Sequence, residues 1–575
     1  MKKIFLFCAV MISSIIALAQ PTNGSFPQND VNDDRHTVYA FTNATIHVDA
    51  NTRLENATLI IKDDKIEAVG ISVAVPANAV VMDLKGNHIY PSMIDIYSDY
   101  GMPEIPKSSG EWNSSPQYLN DKKGAYGWNE AIKSEQNANE LFTYNKDKAD
   151  AMRQLGFGMA NVFMRDGIAR GSSAFVSLND EMVQKLFAQD KSAAMYSFDK
   201  GSSSQGYPSS LMGSIALIRQ TYLDAQWYEK AKYIAEYNIS LDAWNNLKSL
   251  PAIFEVSDKL NVLRADKIGD EFGMQYIIKT KGDAYQRIDE IKATSAPLII
   301  SVDFPKPYDV ENPFDAALVS LADMLHWEMA PLNPSALEKA GIKFALTPFD
   351  LKEKKDFWKN LRNAIDFGLT KNTALASLTS VPAELLGVSD QVGTLSNGKL
   401  ANFIITSTDL FDEKNIIYQN WIQGKQFVIT DFDFKDIRGK YDFTVNKMGP
   451  LVMRVEGDIQ SPEIKFGVAD SSAIKVTFSK KDDLVTLTYK PDKDAEGVIR
   501  LSGNIDGNVW KGQGQLIDGS WINWTATFKE AYVEKKEEEK KEIELPEGKI
   551  RYPFVSYGWT EQPKAETVLL ENATV

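Results

Sequence analysis

The stretch YPSMIDIYSDYG, residues 90–101, decides how the rest of the chain is read. An apolar run (Met93, Ile94, Ile96) is interrupted by Asp95 and ends on Tyr97 and Asp99. In a strand, alternate residues point the same way. Tyr97 and Asp99 are therefore expected to leave the strand end side by side, where a barrel enzyme keeps its chemistry. The question it poses is whether that pair is a metal site, a carboxylate site, or the remains of one.

Downstream, between residues 91 and 391, apolar runs alternate with longer helical patterns. GFGMANVFM (156–164), AAMYSF (193–198), AIFEV (252–256), MQYIIK (274–279), PLIISV (297–302) and IKFALT (342–347) are strand candidates. Strand followed by helix, repeated over this length, predicts an α/β fold and most simply a (β/α)8 TIM-like barrel. Upstream, residues 38–90 carry short β-type runs with a tight turn at KDDK, and 392–430 return to short strands. These two pieces are expected to form a split β-sandwich composite domain around the barrel. Residues 441–528 alternate apolar and polar positions between turn signals, as in LVTLTYK and SWINWTATF, which predicts a separate antiparallel β domain.

The ends are read by composition. Lys2 and Lys3, an apolar run from 4 to 18 and the small residues Ala17-Leu18-Ala19 form a signal peptide over 1–19, too short for a membrane anchor. The protein is expected to be exported, periplasmic or secreted. The single cysteine, Cys8, lies inside that leader, so the mature chain is expected to use neither disulfides nor Cys-ligated zinc. A polar lead-in covers 20–37. Residues 529–560 are a mixed-charge linker, and 561–575, with LENATV resembling FTNATI at 41–46, are expected either to open a second copy or to form a terminal strand. The net charge of −15, with no basic cluster, argues against nucleic acid. No second apolar stretch is long enough to span a membrane, and oligomeric state is not readable.

Local patterns then carry a resemblance. GNHIYPSMIDIYSD (86–99) is similar to the GxxxxPGxIDxHxH segment of the amidohydrolase superfamily, LGFGMANVFMRDGIARGSSAFVSL (155–178) to its aGvTTvrd region, and TSVPAELLGVSDQVGTLSNGKLANFIITS (379–407) to its closing motif, with Asn402 in place of Asp. WIQGKQFVI (421–429) resembles the final strand of the family. The nearest branch looks like the imidazolonepropionase-like, exported metal-dependent hydrolases. The resemblance implies hydrolysis of carbon–nitrogen bonds other than peptide bonds, with divalent Zn or Mn lowering the pKa of a bound water.

The ligand positions depart from that pattern. Tyr97 and Asp99 stand where the family has His-x-His, Glu255 where it has a further His, Lys279 near the next, and Phe349, with Asp350 beside it, where it has the catalytic Asp. The chain has four histidines, His36, His47, His88 and His326, none in a family ligand position. His326 reads as a packed or capping residue near a helix end.

Three readings stay open. In the first, this is a catalytically degenerate amidohydrolase half that supports an active copy downstream. In the second, Asp99, Glu255 and Asp350 form an all-carboxylate metal site for an active hydrolase. In the third, the chain is a carbohydrate-active or carbohydrate-binding barrel, with Trp112, Tyr118, Tyr126 and Trp128 of the 110–133 loop available to stack on sugars. Gly-x-Ser-x-Gly, His-Glu-x-x-His and phosphate-loop motifs are absent from the sequence.

Overall fold

The computed structural model describes residues 37–105, 120–231, 235–309, 311–432 and 436–532, the last with short interruptions, together with residues 567 and 571. The leader, nearly all of the lead-in, Trp112, Tyr118, most of the charged linker and nearly all of 561–575 lie outside the described residues.

The chain begins with β1 (Val38–His47), β2 (Arg53–Lys62), β3 (Lys65–Gly70), β4 (Val80–Asp83) and β5 (His88–Pro91). The KDDK turn joins β2 to β3: Lys62 faces Lys65, and Asp63 takes a φ of 54°, a left-handed conformation that Asp tolerates.

Ten strands follow: β6 (Met93–Ser98), β7 (Phe157–Val162), β8 (Ala169–Ser172), β9 (Ala174–Ser177), β10 (Phe187–Gln189), β11 (Ala194–Ser197), β12 (Ala252–Glu255), β13 (Tyr276–Thr280), β14 (Leu298–Ser301) and β15 (Phe344–Thr347). They do not form the single closed parallel barrel expected from the sequence. They make two sheets of mixed topology, one in the order β10-β9-β7-β6 and one in the order β15-β14-β13-β12-β11-β8. From β11 to β15 neighbours run parallel, but β8 is antiparallel to β11 and β9 is antiparallel to β7.

The cause is local. A parallel neighbour needs a crossover of a dozen residues or more, usually a helix. Residues 163–168 between β7 and β8 are too few for one, so the chain turns back on itself. β8 and β9 then follow one another with only Ser173 between, each pairing into a different sheet.

At the other side β6 and β15 meet through side chains. Thr347 Oγ1 donates to Asp95 Oδ1 at 2.7 Å and to the Tyr97 carbonyl at 3.2 Å. Every residue of β6, β7, β12, β13, β14 and β15 is buried, which is why these runs are almost continuously apolar. Helices cover them. The helix Lys259–Phe272 is capped by Asp258, whose Oδ1 accepts from Leu260 N and Asn261 N, and it ends at Gly273 with a φ of 69°.

β16 (Phe403–Thr406), β17 (Ile417–Ile422) and β18 (Lys425–Val428) return to the first strands. β16 lies antiparallel to β5, from Phe403 opposite Pro91 to Thr406 opposite His88. The result is one eight-stranded sheet, β18-β17-β16-β5-β1-β2-β3 with β4 also on β1, where a sandwich was expected.

The last eight strands are β19 (Gly439–Val445), β20 (Met448–Gly457), β21 (Pro462–Phe466), β22 (Ile474–Lys481), β23 (Leu484–Tyr489), β24 (Ile499–Asp506), β25 (Val509–Gln515) and β26 (Trp521–Ala531). They form a closed antiparallel barrel, β26 pairing back to β19. Alternate residues fill it, with Phe443, Phe466, Trp510 and Trp524 inside. Gly503 faces Gly512 across β24 and β25, and a Cβ on Gly512 would stand 1.9 Å from the Ser502 carbonyl oxygen. Glycine there lets the two backbones close.

Candidate functional site

Tyr97 and Asp99 do not emerge together. The β6–β7 register shifts between Asp95 and Ser98 and the strand ends there, so the alternation does not carry to residue 99. Tyr97 is fully buried, its ring 4.6 Å from Phe163 and 4.9 Å, edge-on, from Phe349. Asp99 is exposed. Phe349 therefore belongs to an aromatic cluster with Tyr97.

Glu255 closes β12 and is held by two arginines. Arg165 Nη2 donates to Oε1 at 2.6 Å, Arg165 Nε lies 3.2 Å from both oxygens, and Arg170 Nη1 donates to Oε2 at 2.6 Å. Arg170, 2% exposed, also donates to Tyr97 OH at 3.2 Å and to the Gly167 carbonyl at 3.0 Å. Burial alone would raise the Glu255 carboxyl. The Arg170 charge, the Arg165 hydrogen bonds and charge, and the nearby Lys279 together hold it well below the usual carboxylate range. Tyr97 is pushed well above its ordinary value by burial and by the Glu255 charge.

Lys279, opposite Glu255 in the β12–β13 register and 1% exposed, donates to Asp350 Oδ2 at 2.5 Å. Its ammonium lies 5.5 Å from the Tyr97 ring centre and 5.6 Å from that of Phe349. Neither Arg165 nor Arg170 was identified from sequence as part of this site. The available signal was two arginines, MRDGIARG, inside an otherwise apolar run.

A cavity of about 510 Å³ opens at this end of the sheet. Ser197, Glu255 and Lys279 bring the carboxyl ends of β11, β12 and β13 to it, the place where open α/β sheets bind ligands. Arg165, Lys200, Lys281 and Asp199 add charge, and Phe198, Pro208, Leu211 and Val256 add apolar surface.

These residues do not fit the divalent metal implied by the sequence resemblance. Both Glu255 oxygens accept from guanidinium groups, Asp350 accepts from a buried ammonium, and Phe349 has no ligand atom. Asp99, Glu255 and Asp350 belong to no group of three or more His, Cys, Asp or Glu able to hold a metal among the described residues. Of the histidines, His47 and His88 face each other at 3.4 Å in the first sheet, His326 sits in the helix Leu321–Met329 with its Nδ1 3.1 Å from Tyr285 OH, and His36 lies outside the described residues. Two loop aromatics are also engaged: Trp128 stacks on Tyr207 at 6.1 Å, and Tyr126 lies under the Lys122 ammonium at 3.8 Å.

Residues 334–431 match the amidohydrolase family. The segment runs from the helix Asn333–Ala340 through β15 to β18. Among solved structures the chain is similar to an amidohydrolase from Thermotoga maritima MSB8, with a TM-score of 0.53 at 20% identity over 68% of this chain and 100% of that one. A prolidase solved with N-methylphosphonate-L-proline aligns over 68% and 100% at 14% identity and a TM-score of 0.42, and phenylurea hydrolase B over 68% and 97% at 16% identity and 0.37. No curated protein matches the chain. The family match covers residues 334–431 only, and at 20% identity the structural likeness speaks to fold alone. The described residues give no support to the metal-hydroxide mechanism that the sequence resemblance implies. No helix among them is long and apolar enough to cross a membrane.

Proposed function

We propose that this chain is a catalytically degenerate amidohydrolase-type unit, exported from the cytoplasm, that supports hydrolysis of carbon–nitrogen bonds other than peptide bonds by another amidohydrolase copy. The observation that carries the reading is the clamp of Arg165 and Arg170 on Glu255, with Lys279 beside it. Glu255, at a position where the resemblance calls for a metal ligand, is taken up by two guanidinium groups, and an ammonium, Lys279, stands near the next such position. A metal entering here would have to displace the guanidinium groups from Glu255 and the Lys279 ammonium from Asp350.

The test is elemental analysis of the purified protein after it is offered Zn, Mn and Mg at neutral pH. The expected result is metal far below one equivalent, unchanged by Asp99→Ala. Stoichiometric metal that disappears in Asp99→Ala and Glu255→Ala, accompanied by amide hydrolysis by this chain alone, would overturn the proposal.

A further inference from the structure

The cavity at the ends of β11, β12 and β13 has an electrostatic character opposite to that of the chain. The protein carries a net charge of −15, yet the charged residues lining the cavity are four basic (Arg165, Lys200, Lys279, Lys281) and two acidic (Asp199, Glu255). The surplus is accessible. Arg165 meets Glu255 through Nε and Nη2, so Nη1 takes no part in the clamp, and its side chain is 45% exposed. Lys281 is exposed at the rim and makes no hydrogen bond or ion pair among the described residues. Lys200 is fixed by donation to the Gln205 carbonyl at 2.8 Å.

The other wall is apolar, made by Phe198, Pro208, Leu211 and Val256. At about 510 Å³ the cavity falls within the size range of small-molecule sites. Its floor is the neutralised Glu255–Arg170 and Lys279–Asp350 pairs, which are already satisfied and give a ligand little reason to displace them. An anion entering above this floor meets unused basic groups, and a short hydrocarbon body meets the opposite wall.

We infer that this cavity binds a small organic carboxylate, its anionic head held by Arg165 and Lys281 and its apolar body lying against Phe198 and Leu211. A guanidinium and a carboxylate share matched planar geometry, and a charge-assisted contact of this kind is about twice as strong as a neutral one. The inference rests on the reading that no metal occupies the site.

The experiment is ligand-observed NMR on the full-length protein with phenylacetate and hexanoate, their neutral amides, and inorganic phosphate, each with and without EDTA. The expected result is that the two carboxylates compete for one saturable site in the millimolar range or tighter, the amides fail to compete, and EDTA changes nothing. Lys281→Glu, at an exposed position, should weaken phenylacetate about tenfold, the equivalent of about 1.4 kcal/mol, and Leu211→Asp should weaken hexanoate more than phosphate. Amides that bind as well as the carboxylates, phosphate that binds as tightly as phenylacetate, or affinity unmoved by Lys281→Glu would overturn the inference. Absence of carboxylate binding in every condition would do the same and leave the metal-free reading intact. Binding that requires added metal and vanishes in EDTA would sink the metal-free reading itself.

Discussion

The C-terminal barrel and the central sheets solve closure in opposite ways. In the barrel every strand has a backbone partner on both sides, and among the described residues from 436 onward no polar or charged side chain is buried. The central sheets stop at β6 and β15, where closure falls to Thr347 and Asp95, and they bury Asp95, Arg170, Glu255 and Lys279. Ladder closure removes edges and fills the interior with Trp510, Trp524 and Phe443. The central region gives up part of its ladder, and in the same place gains a cavity and a set of buried charges. Buried charges add little net stability when paired, but breaking one pair is strongly destabilising.

The contrast can be broken most directly at Glu255. Glu255→Gln leaves Arg170 buried without its counter-charge, and roughly 3–5 kcal/mol of stability should be lost. Urea unfolding followed by hydrogen exchange should show that loss in β11 to β15 and not in β19 to β26. An equal loss in both would mean that the two regions unfold as one.

A smaller effect, opposite in sign, is expected at the seam. Burial pushes the Asp95 carboxyl up to about 6, against the lowering effect of the Thr347 hydrogen bond. A carboxyl raised above its unfolded value contributes stability that is present below about pH 4 and lost as pH rises through about 6. Asp95→Asn keeps an oxygen for Thr347 to donate to and has no proton to lose. It should raise stability at pH 7.5 by roughly 1–3 kcal/mol and change little at pH 4. Thermal melts at the two pH values check this, and a variant less stable at pH 7.5 would count against it. The mildest change is Ile522→Val inside the closed barrel, where losing one methylene should cost roughly 0.5–1.5 kcal/mol at any pH. A pH-dependent loss there would show that the barrel shares the electrostatics of the central region.

These regions also differ in how much of them was legible in the sequence. The alternation in LVTLTYK and SWINWTATF carries the antiparallel strands because each period-two run reports its own inner face. The apolar runs at 193–198, 252–256, 274–279, 297–302 and 342–347 became β11 to β15, parallel and adjacent. The reversal at 163–177 was hidden, because a buried strand reads as a continuous apolar run whichever way it points. The departure from the family's ligand pattern was plain from Tyr97, Phe349 and the few histidines. What took the ligands' place was not, since Arg170 and Glu255 lie 85 residues apart and only the β8–β11–β12 pairing brings them together.

The seam at Thr347 has a kinetic meaning as well. Two sheet edges joined by side-chain packing and the Thr347 hydroxyl, with no ladder between them, can separate without unzipping one, so this line should be among the first to open below global unfolding. The amides along β6 and β15 should then exchange with solvent faster than their burial alone implies.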